Sequence, residues 1–135
     1  MIDMARARTS VRLSHHALDA MSEKEKLLVK LFPTTATEVA LMYALFNSDE
    51  FARHIQNSTK FQGDRENDIL TYLNAALLEL AKERFSQYGI TMKELVSAAV
   101  EFAYDRLGSD YIELIKVTIP LSAIRKRIKQ TERSQ

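Results

Sequence analysis

Histidines and carboxylates are the side chains here that could ligate a metal or move a proton, and their spacing argues against both. His15 and His16 are adjacent, so on a helix they diverge by about 100° and do not converge on one ion. His54 lies one turn beyond Glu50, which puts that pair on one helix face. A metal centre needs three or four converging ligands, yet the chain has 3 His and 0 Cys. The paired Glu-x-x-His motifs of a diiron site are absent. Asp19 with Glu23, and Glu79 with Glu83, have the one-turn spacing of solvated helix faces rather than of an acid/base pair. Gly63, Gly89 and Gly108 build no phosphate loop, and no Ser sits in a nucleophile elbow. The sequence therefore predicts no enzyme active site, no metal and no cofactor.

The cationic side chains are more informative. The 135 residues carry 19 Lys and Arg against 18 Asp and Glu, a net charge of +1 that by itself discourages a nucleic-acid partner. Its distribution does not. Residues 1–13 hold 3 Arg and 1 Asp, and residues 121–135 hold 5 basic and 1 acidic residue. The 107 residues between them carry 11 basic and 16 acidic side chains, so the chain is basic at both ends and acidic between. Near the first end, Thr9-Ser10-Val11-Arg12-Leu13 alternates. Thr9, Val11 and Leu13 share one face of an extended chain, and Arg8, Ser10 and Arg12 share the other. Near the second, Arg125, Lys126, Arg127 and Lys129 surround Leu121, Ile124 and Ile128, as on a short amphipathic helix. That cluster suits phosphate contact, or else simply keeps a solvated face soluble.

The elements that must position these residues are mostly helical. Three Gly and 2 Pro are too few for a loop-rich all-β fold, and 46% apolar residues suit a single domain over residues 1–135. Ser14 can cap a first helix whose stripe runs through Ala17, Leu18, Met21, Leu28 and Leu31, with Pro33 closing it. Thr35-Ala36-Thr37-Glu38 has capping-box spacing and predicts a second helix through Val39, Met42, Tyr43 and Phe46. Ser48 opens a short third helix, and Gln56–Gly63 reads as a loop in which Phe61 either packs back or anchors a partner. Ile69, Leu73, Ala76, Leu77 and Leu80 recur at the helical period and predict one long helix over Asp68–Tyr88, ended by Gly89. Thr91-Met92-Lys93-Glu94 repeats the capping-box spacing, and Gly108 follows that next helix. Tyr111–Ile119 reads as a short strand or an apolar helical turn. No apolar run approaches the roughly 20 residues of a membrane span, and no signal peptide is visible, so the expectation is a cytoplasmic protein with no membrane role.

Ser10-Val11-Arg12-Leu13-Ser14, Ala17-Leu18 and Thr35-x-x-Glu38-Val39 together resemble the ribbon-helix-helix DNA-binding family over residues 8–46. The resemblance implies a mainly α fold with a short N-terminal β-strand and capped helices. Two chains would pair their strands into an antiparallel ribbon that enters the DNA major groove. It implies base contacts from Arg8, Ser10 and Arg12, and a phosphate held at Thr35. Arg125 and Arg127 join that set as the second basic cluster. From Leu13 to Thr35 the chain is about one helical turn longer than the family pattern, and Pro33 stands where the family often has Gly. Leu73-Asn74, Leu77-Leu78, Gly89 and Thr91-x-x-Glu94 offer the spacing of a second copy, but Asp68–Leu73 does not alternate. Residues 64–130 are accordingly expected to be a helical extension for oligomerisation or partner binding. The expected assembly is a homodimer or higher oligomer acting on double-stranded DNA as a transcriptional repressor or a plasmid or phage accessory factor. The alternative class is a non-enzymatic helical interaction protein, an adaptor, chaperone or inhibitor, using faces such as Ala98, Ala99 and Ala103.

Overall fold

A six-residue strand cannot satisfy its own backbone N–H and C=O groups, so β1 (Arg8–Leu13) must find a partner. It finds one inside the same chain. The computed structural model describes residues 7–57 and 67–119, and in it β1 pairs antiparallel with β2 (Ile69–Asn74). The register sets Arg8 opposite Asn74, Ser10 opposite Tyr72, Val11 opposite Thr71 and Leu13 opposite Ile69. The long helix expected over Asp68–Tyr88 is therefore wrong in its first third. Residues 69–74 are a strand, and helix α4 (Ala75–Phe85) starts only after Asn74, whose side chain accepts from Leu77 N–H at 3.0 Å. The buried residues of α4 are Ala75, Leu78, Ala81 and Phe85, whereas Ala76 and Leu80 face solvent. A second-chain strand is not needed to complete the ribbon.

The chain then reads as one plan carried out twice. After β1, Ser14 caps a 3-10 turn at His15–Leu18, accepting from His16 N–H, as its sequence position predicts. The expected single helix through Leu31 is divided there. Ser22 opens a separate α1 (Glu23–Leu31) with a complete capping box to Glu25, and this inserted break absorbs the extra turn of sequence. Pro33 does not close that helix; it opens the next one, α2 (Pro33–Phe46), where its missing N–H costs nothing. The second copy runs β2, α4, a 3-10 turn at Ser86–Tyr88 and α5 (Met92–Leu107), with Gly89 at φ 62° making the left-handed turn. Thr91 and Glu94 form the capping box their spacing predicts.

The two copies interlock. Helix α2 of the first packs on β2, helix α5 of the second packs on β1, and α2 and α5 pack on each other. Ala36, Ala40 and Ala44 on α2 and Ala99 and Ala103 on α5 are fully buried, small enough to let the helices approach closely. Leu13, Leu73, Val96, Val100 and Phe102 complete this centre. Each strand ends on the other copy. The Ser14 N–H donates to Ser97 Oγ of α5 at 2.9 Å, and the Asn74 N–H donates to Glu38 Oε2 of α2 at 2.6 Å. Helix α3 (Ser48–Asn57) and α6 (Ser109–Thr118) close the sides, and Tyr111–Thr118 is helix rather than strand. No helix of the described residues is long and apolar enough to cross a membrane.

Candidate functional site

Alternation along β1 does what the sequence predicts: Val11 and Leu13 are buried, while Arg8, Ser10 and Arg12 are exposed. Thr9, expected on the inner face, is exposed at the ribbon's end. On β2, Thr71 and Leu73 are buried, and Leu70 and Tyr72 project to solvent. By the register, the outer face is built from Arg8 beside Asn74, Ser10 beside Tyr72, and Arg12 beside Leu70. A run of cationic and hydroxyl groups thus lies against an apolar and aromatic run about 4.8 Å away. The β2 half of this face was missed by periodicity. Its signals were the β-prone run Ile69–Leu73 and Asn74, a strong helix-capping residue placed inside the supposed helix.

The two arginines differ in freedom. Arg8 Nη1 lies 3.0 Å from Glu38 Oε2, the same oxygen that accepts the Asn74 N–H. Its guanidinium is therefore held over the end of the ribbon, with most of its donors still available. Arg12 has no ion-pair partner among the described residues. The Thr35–Glu38 capping box does not form. Glu38 is committed to Arg8 and Asn74, and α2 begins two residues before Thr35, with Phe32 at the cap position and no side-chain cap. Thr35 sits instead in the first turn, where backbone N–H groups have no intrahelical acceptor. Thr34 fastens that turn to the ribbon by donating its hydroxyl to the Tyr72 carbonyl at 2.8 Å. Arg125 and Arg127, the helix expected around them, and Phe61 lie outside the described residues.

Each histidine lies beside an acidic side chain. His54 Nε2 lies 2.9 Å from Glu101, and Glu50 pairs with Arg106 at 3.1 Å, so the shared face of α3 is used to hold α5. His15 approaches Asp68 at 3.7 Å, and Lys93 pairs with the same buried carboxylate, tying the N-terminus of α5 to the entry of β2. His16 pairs with Asp19 at 3.2 Å. No group of three or more potential metal ligands converges among the described residues. Glu25 is held below the usual carboxylate range by the Ser22 N–H and by the Tyr104 hydroxyl, which donates to it at 2.8 Å. Tyr104 is raised in turn. No family model, curated protein or solved structure matches the chain.

Proposed function

We propose that the chain binds double-stranded DNA sequence-specifically, laying its two-stranded ribbon in the major groove, and acts as a transcriptional repressor or a plasmid or phage accessory factor. One observation carries the reading: Arg8, Ser10 and Arg12 occupy the ribbon face turned away from the helices. A two-stranded ribbon fits the roughly 12 Å width of the major groove, and outward Arg and Ser groups can reach base edges there. The first turn of α2, where the Thr34 and Thr35 N–H groups precede the first intrahelical bond, stands beside the ribbon and suits a phosphate. Arg125 and Arg127 add cationic side chains from the C-terminal segment. The order of elements within each copy resembles the ribbon-helix-helix family, with both copies supplied by one chain. On this reading the protein is not an enzyme.

Electrophoretic mobility with mixed duplexes tests it. Binding is expected at low salt and should weaken steeply as salt rises. Absence of binding at low salt would sink the reading. On a preferred site, Arg12→Ala should cost about 1–3 kcal/mol and relax specificity, whereas equal loss on every sequence would reduce Arg12 to a phosphate contact. A second reading, binding of a protein partner, is favoured by Phe46 at the end of α2 and Val117 on α6, exposed by 88% and 77%.

A further inference from the structure

The ribbon scaffold is two-fold in plan, but its outer face is not. Ser14 and Asn74 each cap the helical segment that follows their strand. Matching these caps places Leu13 on Leu73, both fully buried, and Val11 on Thr71, which face each other across the ribbon. The same match places Arg12 on Tyr72 and Ser10 on Leu70. Of the inner positions, Leu13 and Leu73 are identical and Val11 and Thr71 are both buried and β-branched, whereas the outer pairs Arg12 with Tyr72 and Ser10 with Leu70 are unlike. Tyr72 and Leu70 remain 53% and 47% exposed, large apolar groups on a face that the fold leaves open.

Two identical chains would impose their symmetry on a target, which is why dimeric readers meet palindromic sites. Here one chain supplies both strands, and the strands offer different chemistry. Arg12 can bond both O6 and N7 of guanine, and Ser10 can serve any base edge. Leu70 and the ring carbons of Tyr72 carry no donor, the Tyr72 hydroxyl standing at the far end of its ring; in the major groove the apolar feature those carbons fit is the thymine methyl group. From Arg8 to Arg12 the outer face runs about 13 Å, the length of about four base-pair steps. Resting on the duplex-binding reading above, we infer that the target is a non-palindromic duplex, bound by one chain. Guanine is read by Arg12 of β1, and thymine by Leu70 and Tyr72 of β2, which lie beside β1 over the same base-pair steps.

The test uses the full-length protein. Duplexes selected from a random library at moderate salt should share a non-palindromic motif, and the mass of the complex should correspond to one chain per site. Replacing thymine by uracil removes only the methyl group. At the thymines read by Leu70 and Tyr72 this should weaken wild-type binding about three- to five-fold, the scale of one buried methyl group. The same replacement should change nothing for a Leu70→Ala/Tyr72→Ala variant shown by circular dichroism and thermal unfolding to remain folded. Arg12→Ala should relax the guanine positions alone, by about five-fold or more. A palindromic motif bound by two chains, or indifference of the wild type to uracil, would overturn the inference while leaving duplex binding intact. Failure to bind any duplex at low salt would remove the underlying reading as well.

Discussion

Tyr111 illustrates how a single buried polar group is used in this fold. Its ring is fully buried, and its hydroxyl donates to the Ala36 carbonyl at 2.7 Å, joining α6 to the first turn of α2. Burial disfavours the phenolate and pushes the group well above the ordinary tyrosine range. Below about pH 10 the hydroxyl is protonated in both folded and unfolded chains, so its contribution does not vary. Above that, the unfolded chain releases a proton that the folded chain retains, and stability falls as pH rises. Tyr111→Phe should cost about 1 kcal/mol at neutral pH, the net value of one hydrogen bond. Its deficit relative to wild type should shrink in urea titrations carried out between pH 10 and 11. A deficit that stays constant over that range would show that the hydroxyl is not sequestered. Glu25 carries the opposite sign: held low in the fold, it contributes stability above the ordinary carboxylate range, which is lost in acid.

At the scale of elements, the residues 68–88 decide between two foldings of the same pattern. One long helix would put Leu73 and Leu80 on a common buried face. With a strand followed by a capped helix, Leu73 is fully buried and Leu80 is 49% exposed. Leu73→Ala should therefore cost about 2–5 kcal/mol in urea unfolding, and Leu80→Ala no more than about 0.5 kcal/mol. Similar losses at both positions would restore the single helix. The elements whose signals are local were legible in the sequence: the alternation of β1, the caps Ser14 and Thr91, and the left-handed turn at Gly89. What was not legible depends on distant partners. Residues 69–74 become a strand because β1, some sixty residues earlier, presents an open edge, and no window around Leu73 contains that fact. Glu38 likewise has the spacing of a capping residue, but a backbone N–H and a guanidinium from the two strands outcompete its own helix. The outer face was thus half readable. Arg8, Ser10 and Arg12 follow from alternation alone, whereas Leu70 and Tyr72 join them only once the pairing is known.

For the whole molecule, in-chain pairing predicts a stability independent of concentration. An obligate dimer gains stability from mass action, so its unfolding midpoint rises as the protein is concentrated. This chain closes its ribbon with its own second strand and buries α2 against its own α5. The cross-connections Ser14–Ser97, Asn74–Glu38 and His15–Asp68 lie between the two copies. Neither copy retains its core without the other, because Leu13, Leu73 and the alanine stripes of both central helices are buried in common. Thermal unfolding should then be a single transition for the 135-residue chain, with a midpoint that does not move over about a hundredfold range of concentration. Two resolved transitions would mean that the copies fold separately. A midpoint that climbs with concentration would mean that a second chain supplies stability, and the ribbon's one-chain logic, including its unlike halves, would then have to be rebuilt around a dimer.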